Sequence, residues 1–159
     1  MRGPLTKLFL KTIGRWIPSD FFAYRMPVSV KGICFIDDKV VLLKNERGEW
    51  DLPGGKLARG EKVKEALARE MKEELGIDIA IVDLIGVRTA RIQRKINVLI
   101  ILYLCETKAT CQDLQLSQES FGLQLFDPRE LPDHKHLPLY HQQITKAYWE
   151  QRQAGESSH

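Results

Sequence analysis

A chain of 159 residues with 43% hydrophobic and 28% charged positions has the size and composition of one globular domain, able to bury roughly 70% of its unfolded surface without metal or disulfide staples. Its formal net charge of +3 suits an anionic small-molecule substrate and does not by itself call for nucleic acid or membrane. No apolar run reaches the ~18 residues of a membrane span. Cys34, Cys105 and Cys111 form no CxxC pair, which argues against a disulfide framework or zinc knuckle and for a reducing, cytoplasmic setting.

In chain order, the first stretch, LTKLFLKTIGRWI, spaces Leu5, Leu8, Phe9, Ile13 and Trp16 as one helical stripe, with Lys7, Lys11 and Arg15 mostly off it. Charges interrupt the apolar run and no small-residue cleavage site follows, so a signal peptide is disfavoured. Residues 1–26 are expected to form an amphipathic helical extension that packs on its own domain or on a second copy, making a homodimer. A helix lying on a membrane surface is the alternative.

VSVKGICFI and KVVLLK read as two strands joined at Asp37-Asp38 in a hairpin. NERGEW is a turn, and WDLPGG leads into a Gly-rich loop. Helical periodicity runs from about residue 61 to 75, with Gly76 placed to cap its end. IAIVDLIGV and INVLIILYLCE follow as strands, the second apolar enough to be central and covered on both faces. LQLF is a shorter strand. A last helix is expected from about Pro138 to Trp149, with Tyr140, Ile144, Ala147 and Tyr148 on one side, and residues 151–159 as a disordered tail. Strands, helix, strands, helix over residues 27–150 predict an α/β fold of the α+β type, a mixed sheet with helices packed on it rather than a doubly wound parallel sheet.

The segment GKLARGEKVKEALAREMKEELGI holds five glutamates. On a helix at about 100° per residue, Glu74 lies about 40° from Glu70 and Glu73 about 60° to its other side, so the three share a face. Val63, Ala66, Leu67 and Met71 fall within an arc that overlaps theirs. A solvated acidic face should lie away from the apolar stripe, and three half-buried like charges repel. Two compensations are open. A divalent cation with oxygen ligands, Mg²⁺ or Mn²⁺, neutralises them directly. An ion network with arginines or lysines does so as well.

The same segment resembles the Nudix box, G-x5-E-x7-R-E-U-x-E-E-x-G-U with U a bulky aliphatic residue. Gly55, Glu61, Arg69, Glu70, Met71, Glu73, Glu74, Gly76 and Ile77 stand at the specified places, and none departs from the pattern. WDLPGG also looks like the usual approach to the box. The resemblance implies a Nudix-like α/β/α sandwich and a pyrophosphohydrolase that cleaves, by water attack at phosphorus, a phosphoanhydride of a nucleoside diphosphate linked to another moiety, using Mg²⁺ or Mn²⁺. By position it implies Glu70 and Glu74 as metal ligands, Glu73 as ligand or general base, and the Gly55 carbonyl as a further ligand. Glu70 and Glu73 both stay open as the base. Arg69 and Glu61 are implied as a structural ion pair. Glu119, in SQESFGLQLFDPRELP, resembles an acid supplied to the site from a loop outside the box. A binding module that senses a nucleotide without turnover is the other class of function, disfavoured by the intact acidic triad.

Other candidates are weaker. Arg88, Arg91, Arg94 and Lys95 could hold substrate phosphates, although a solvated loop or a charge-blunted edge is favoured. His134, His136 and His141 lack partners at zinc-ligand spacing, so a surface loop is favoured over a zinc site. Trp50 could stack on a base or pack into the core. Gln93 stands where ADP-ribose-cleaving members often carry a proline. No tyrosine stands where diadenosine polyphosphate hydrolases often have one, which leaves the substrate open.

Overall fold

In the computed structural model the described residues are 26–92, 96–118, 120–132 and 138–156. The N-terminal stripe, Arg94, Lys95, Glu119, His134 and His136 therefore lie outside them. Among the described residues are six strands and two helices: β1 (Val28–Ile36), β2 (Lys39–Lys44), β3 (Trp50–Asp51), α1 (Val63–Leu75), β4 (Ala80–Ile92), β5 (Ile96–Glu106), β6 (Gly122–Phe126) and α2 (Pro138–Glu156).

The sheet is mixed, as the element order predicted. β1 runs parallel to β5, and every other pairing is antiparallel. Asp37 and Asp38 adopt φ of 50° and 62°, the left-handed pair that a two-residue hairpin between right-twisted strands requires. Gly76 ends α1 at φ 74° and returns its N–H to the Lys72 carbonyl, a conformation in which a Cβ would be strained.

Alternation along the strands builds two cores. Val30, Cys34 and Ile36 of β1 face α1, where they meet Ala66, Leu67, Met71 and Leu75. Ile33 of β1 with Ile100, Leu102 and Leu104 of β5 face α2, where they meet Tyr140, Ile144 and Ala147. Burial of both β5 faces explains its nearly unbroken apolar run.

Two expectations need correction, and the alternative left open for Trp50 falls to packing. The last helix continues to Glu156 rather than stopping near Trp149, so residues 151–156 are not a disordered tail. β4 reaches Ile92, so Arg88 and Arg91 lie on an edge strand, the charge-blunted edge rather than the solvated loop. Trp50 packs edge-to-face on Phe126, ring centroids 5.0 Å apart, against the α2-side core. No helix among the described residues is long and apolar enough to cross a membrane.

Candidate active site

β1 and β2 pair only beside their hairpin, Phe35 with Val40 and Ile36 with Lys39. Beyond that point the edge of β1 is taken up by the Gly-rich loop. Gly32 N–H donates to the Pro53 carbonyl at 3.0 Å, Val30 N–H to Gly55 at 2.8 Å, and Leu57 N–H to the Val28 carbonyl at 2.9 Å. The Lys31 ammonium donates to the Asp51 carboxylate at 3.0 Å, the Leu52 carbonyl at 2.9 Å and the Gly54 carbonyl at 3.2 Å. Every carbonyl from Leu52 to Gly55 thus accepts a bond, and the loop is set rigidly in the sheet.

Two glycines make this insertion sterically feasible. Gly54 has φ 124°, and a Cβ there would strike the Val30 carbonyl oxygen. At Gly55 a Cβ would run into the Glu70 carboxylate. The missing side chain lets a helix acid sit directly against the loop backbone.

α1 presents its acids to this loop. Glu74, half-buried, accepts the Gly54 N–H at 2.7 Å. Burial raises its pKa; the Gly54 bond and the Lys31 charge pull the other way. Arg69 binds Glu61 through two nitrogens, at 2.8 and 3.2 Å. That pair ties the loop before α1 to the helix, and Arg69 holds the Glu61 carboxyl below its usual range. The Arg69 Nη1 also donates to Glu70 and to Glu73, 2.9 Å in each case. The ion network considered from the sequence is therefore present.

Glu70, Glu73 and Glu74 line one cavity of about 230 Å³ together with Ser117. A second, of about 100 Å³, lies between Glu74, Lys31, Asp51 and Ser120. A third, of about 450 Å³, shares Lys31 and Asp51 with it and extends over Ile92, Val98, Ile100 and Tyr140, with Arg47 and Lys56 also on its walls. Shared residues string the three together, from the carboxylates to an apolar cleft with cations in its walls.

Of the residues singled out from sequence, Glu70, Glu73, Glu74 and Gly55 come together. Glu119 lies outside the described residues; of its neighbours in sequence, Ser117 N–H donates to the Glu74 carbonyl at 3.3 Å, and Ser120 lines the second cavity. The Gly55 carbonyl already accepts from Val30 N–H and from the Ser29 hydroxyl at 3.1 Å, so a further partner there must displace one of them. Arg88 is half-buried, 5.8 Å from the Tyr140 ring centroid. Lys31, Asp51, Ser117 and Ser120 were missed. For Lys31 a signal existed, since a lysine inside an apolar strand needs a buried partner.

The donor set suits a hard cation: carboxylate oxygens only, one of them on a half-buried acid whose neighbours add repulsion. As the side chains stand, no three Asp, Glu, His or Cys residues among those described converge tightly enough to enclose an ion. Glu70 and Glu73 would have to exchange the Arg69 nitrogen for it.

The NUDIX domain profile matches residues 26–148. An ADP-ribose pyrophosphatase of Methanocaldococcus jannaschii is 32% identical over 127 residues, covering 76% of this chain and 72% of that protein. The 8-oxo-dGTP diphosphatase of Proteus vulgaris is 53% identical over a short stretch of 32 residues, 20% of this chain and 29% of that protein. Among solved structures, a MutT NUDIX hydrolase from Burkholderia pseudomallei superposes with a TM-score of 0.66 at 25% identity, over 76% of this chain and 99% of that one. An ADP-ribose pyrophosphatase from Streptococcus suis gives 0.65 at 22% identity, over 80% and 93%, a likeness of fold.

Proposed function

Because the chain belongs to the Nudix hydrolase family, enzymes acting on phosphoanhydrides of nucleoside diphosphate derivatives, we propose that it is a metal-dependent pyrophosphohydrolase whose ligands are Glu70, Glu73 and Glu74. The observation that carries this reading is the single cavity these three carboxylates line beside a loop with no free carbonyl. Mg²⁺ or Mn²⁺, when bound there, neutralises diphosphate charge and lowers the pKa of a water. Glu74 is anchored by Gly54 N–H through one oxygen and keeps the other for the cation. Gly55 would join only if the Ser29 hydroxyl turned away.

The chain's own residues orient the substrate. The apolar cleft over Ile92, Val98, Ile100 and Tyr140 takes the nucleoside end, and its cations Arg47 and Lys56 meet phosphate oxygens. The diphosphate then points along the Lys31–Asp51 wall toward the carboxylates. Glu119 accepts the proton of the attacking water; its described neighbours Ser117 and Ser120 line the cavities beside Glu74. Glu70 and Glu73 are the other candidates for that role.

ADP-ribose heads the substrates to be tried, on the strength of the Methanocaldococcus relative, even though Gln93 replaces the proline frequent in ADP-ribose-cleaving members. The test is a hydrolysis screen with and without Mg²⁺, over ADP-ribose, nucleoside triphosphates, nucleotide sugars and dinucleoside polyphosphates. Turnover of at least one, abolished by chelator, is expected. Binding of these compounds without turnover would overturn the reading. Glu119→Gln should then depress kcat more than KM at saturating Mg²⁺; an unchanged kcat removes Glu119 and leaves the base on α1. Cytoplasmic residence belongs to this same reading, since its nucleotide substrates and reduced cysteines fit that compartment.

A further inference from the structure

A sheet face needs a covering layer, and one strip of this sheet has none among the described residues. On the α1 side, register sets Val28, Leu99 and Thr89 in one row across β1, β5 and β4. Val30, Ile101 and Val87 form the next, and Gly32, Tyr103 and Leu84 the third. α1 lies over the β1 end of these rows, with Leu67 and Met71 against Gly32. At the β4 end, Leu84 is 49% and Val87 54% exposed, and Val82 beside them 50%. Leu84 and Val87, in adjacent rows of one face at the sheet edge, with Val82 at the irregularity next to them, form a patch that calls for an occupant.

The chain enters at the margin of this strip. Leu99 N–H donates to the Pro27 carbonyl at 2.9 Å, and Val28 pairs with Leu99, itself the partner of Thr89. Upstream of Met26 lie 25 residues, including the apolar stripe Leu5, Leu8, Phe9, Ile13 and Trp16. A helix over residues 5–16 would be about 18 Å long, enough to cover the ~14 Å between the Leu84 and Thr89 rows, which stand opposite Tyr103 and Leu99 of β5. Residues 17–26 span up to about 35 Å, ample to turn the helix back along β4.

We propose that residues 5–16 of this same chain dock in cis on the Leu84–Val87 strip, completing the α1-side layer with their apolar stripe and leaving Lys7, Lys11 and Arg15 in solvent. Attachment two strands from the strip, through a short connector, favours the chain's own segment over that of a second copy.

The test uses the full chain. Cys34 and Cys105 are buried and Cys111 is exposed, so Cys111→Ser gives a quiet background. Leu8→Cys or Phe9→Cys is combined there with Val87→Cys and oxidised mildly. The expected product is an internally cross-linked monomer on a non-reducing gel. A cross-linked dimer assigns the strip to a second copy and overturns the proposal, as does failure of both pairs to cross-link. In parallel, deletion of residues 1–19 should lower Tm by about 3 °C or more and speed hydrogen exchange in β4 around Leu84 to Thr89. Unchanged exchange there, with anionic-vesicle binding lost on deletion, would give the stripe to a membrane surface and equally overturn the cis assignment.

Discussion

The two helices cover opposite faces of one sheet and are built differently. α1 is short, and its buried stripe of Ala66, Leu67, Met71 and Leu75 lies beside acids held by Arg69 and by loop amides. α2 is longer and buries Tyr140, Ile144, Ala147 and Tyr148, with little polar scaffolding toward the sheet. Packing and the clustered carboxylates share the same surface of α1, whereas α2 contributes packing and, through Tyr140, a wall of the cleft. Burial of the Glu74 carboxylate, which raises its pKa, costs free energy; α2 has no half-buried carboxylate among its described side chains.

The sharpest way to break this contrast is Glu74→Gln. It keeps the shape and the bond to Gly54 N–H but removes a charge, so kcat should fall a hundredfold or more, several kcal/mol at the transition state. In chelator at pH 7 the same variant should melt no lower than the parent. Glu74 has a folded pKa above its ordinary 4.5, so its ionisation opposes folding. That cost is absent below the unfolded pKa and grows as pH rises through the folded value. The variant's advantage in Tm should therefore vanish in acid. Near-normal turnover by folded Glu74→Gln at saturating Mg²⁺ would sink the assignment.

Next is Ile144→Ala on α2. Ile144 is fully buried, so the change should cost about 2–5 kcal/mol in denaturant unfolding, with kcat nearly unchanged at a temperature where the variant is folded. A large loss of kcat there would mean that α2 is no mere scaffold. Lys31→Met comes third. It leaves the Asp51 carboxylate and two loop carbonyls without their donor, a loss of about 1–3 kcal/mol by urea titration, and loosened loop geometry should reduce kcat more than it raises KM. The smallest effect is expected at the exposed Lys146–Glu150 pair of α2. Lys146→Ala should stay within about 0.5 kcal/mol and leave kinetics untouched.

Periodicity made the skeleton legible. β5 matches its apolar run residue for residue, and the hairpin falls at Asp37-Asp38. Local patterns of this sort are set by neighbours in sequence, and so is the convergence of Glu70, Glu73 and Glu74 along one helix. What sequence could not show is pairing across distance. Lys31 meets Asp51 twenty residues on, and the loop wedges between β1 and β2 only because the strands diverge. β4 was cut short because an edge strand tolerates charge at its outward positions, which hides the alternation. The end of α2 was misplaced because Gln and Ala carry no stop signal, and the helix runs on through Gly155 to Glu156.

The inserted loop has a consequence for observation. Gly54 spends its N–H on a side chain, the Glu74 carboxylate, while the neighbouring amides of β1 spend theirs on backbone. Its proton is therefore a spectroscopic gauge planted beside the carboxylates. In an ¹⁵N–¹H correlation spectrum, the Gly54 resonance should move when a cation draws on Glu74, while those of Val30 and Gly32 hold still.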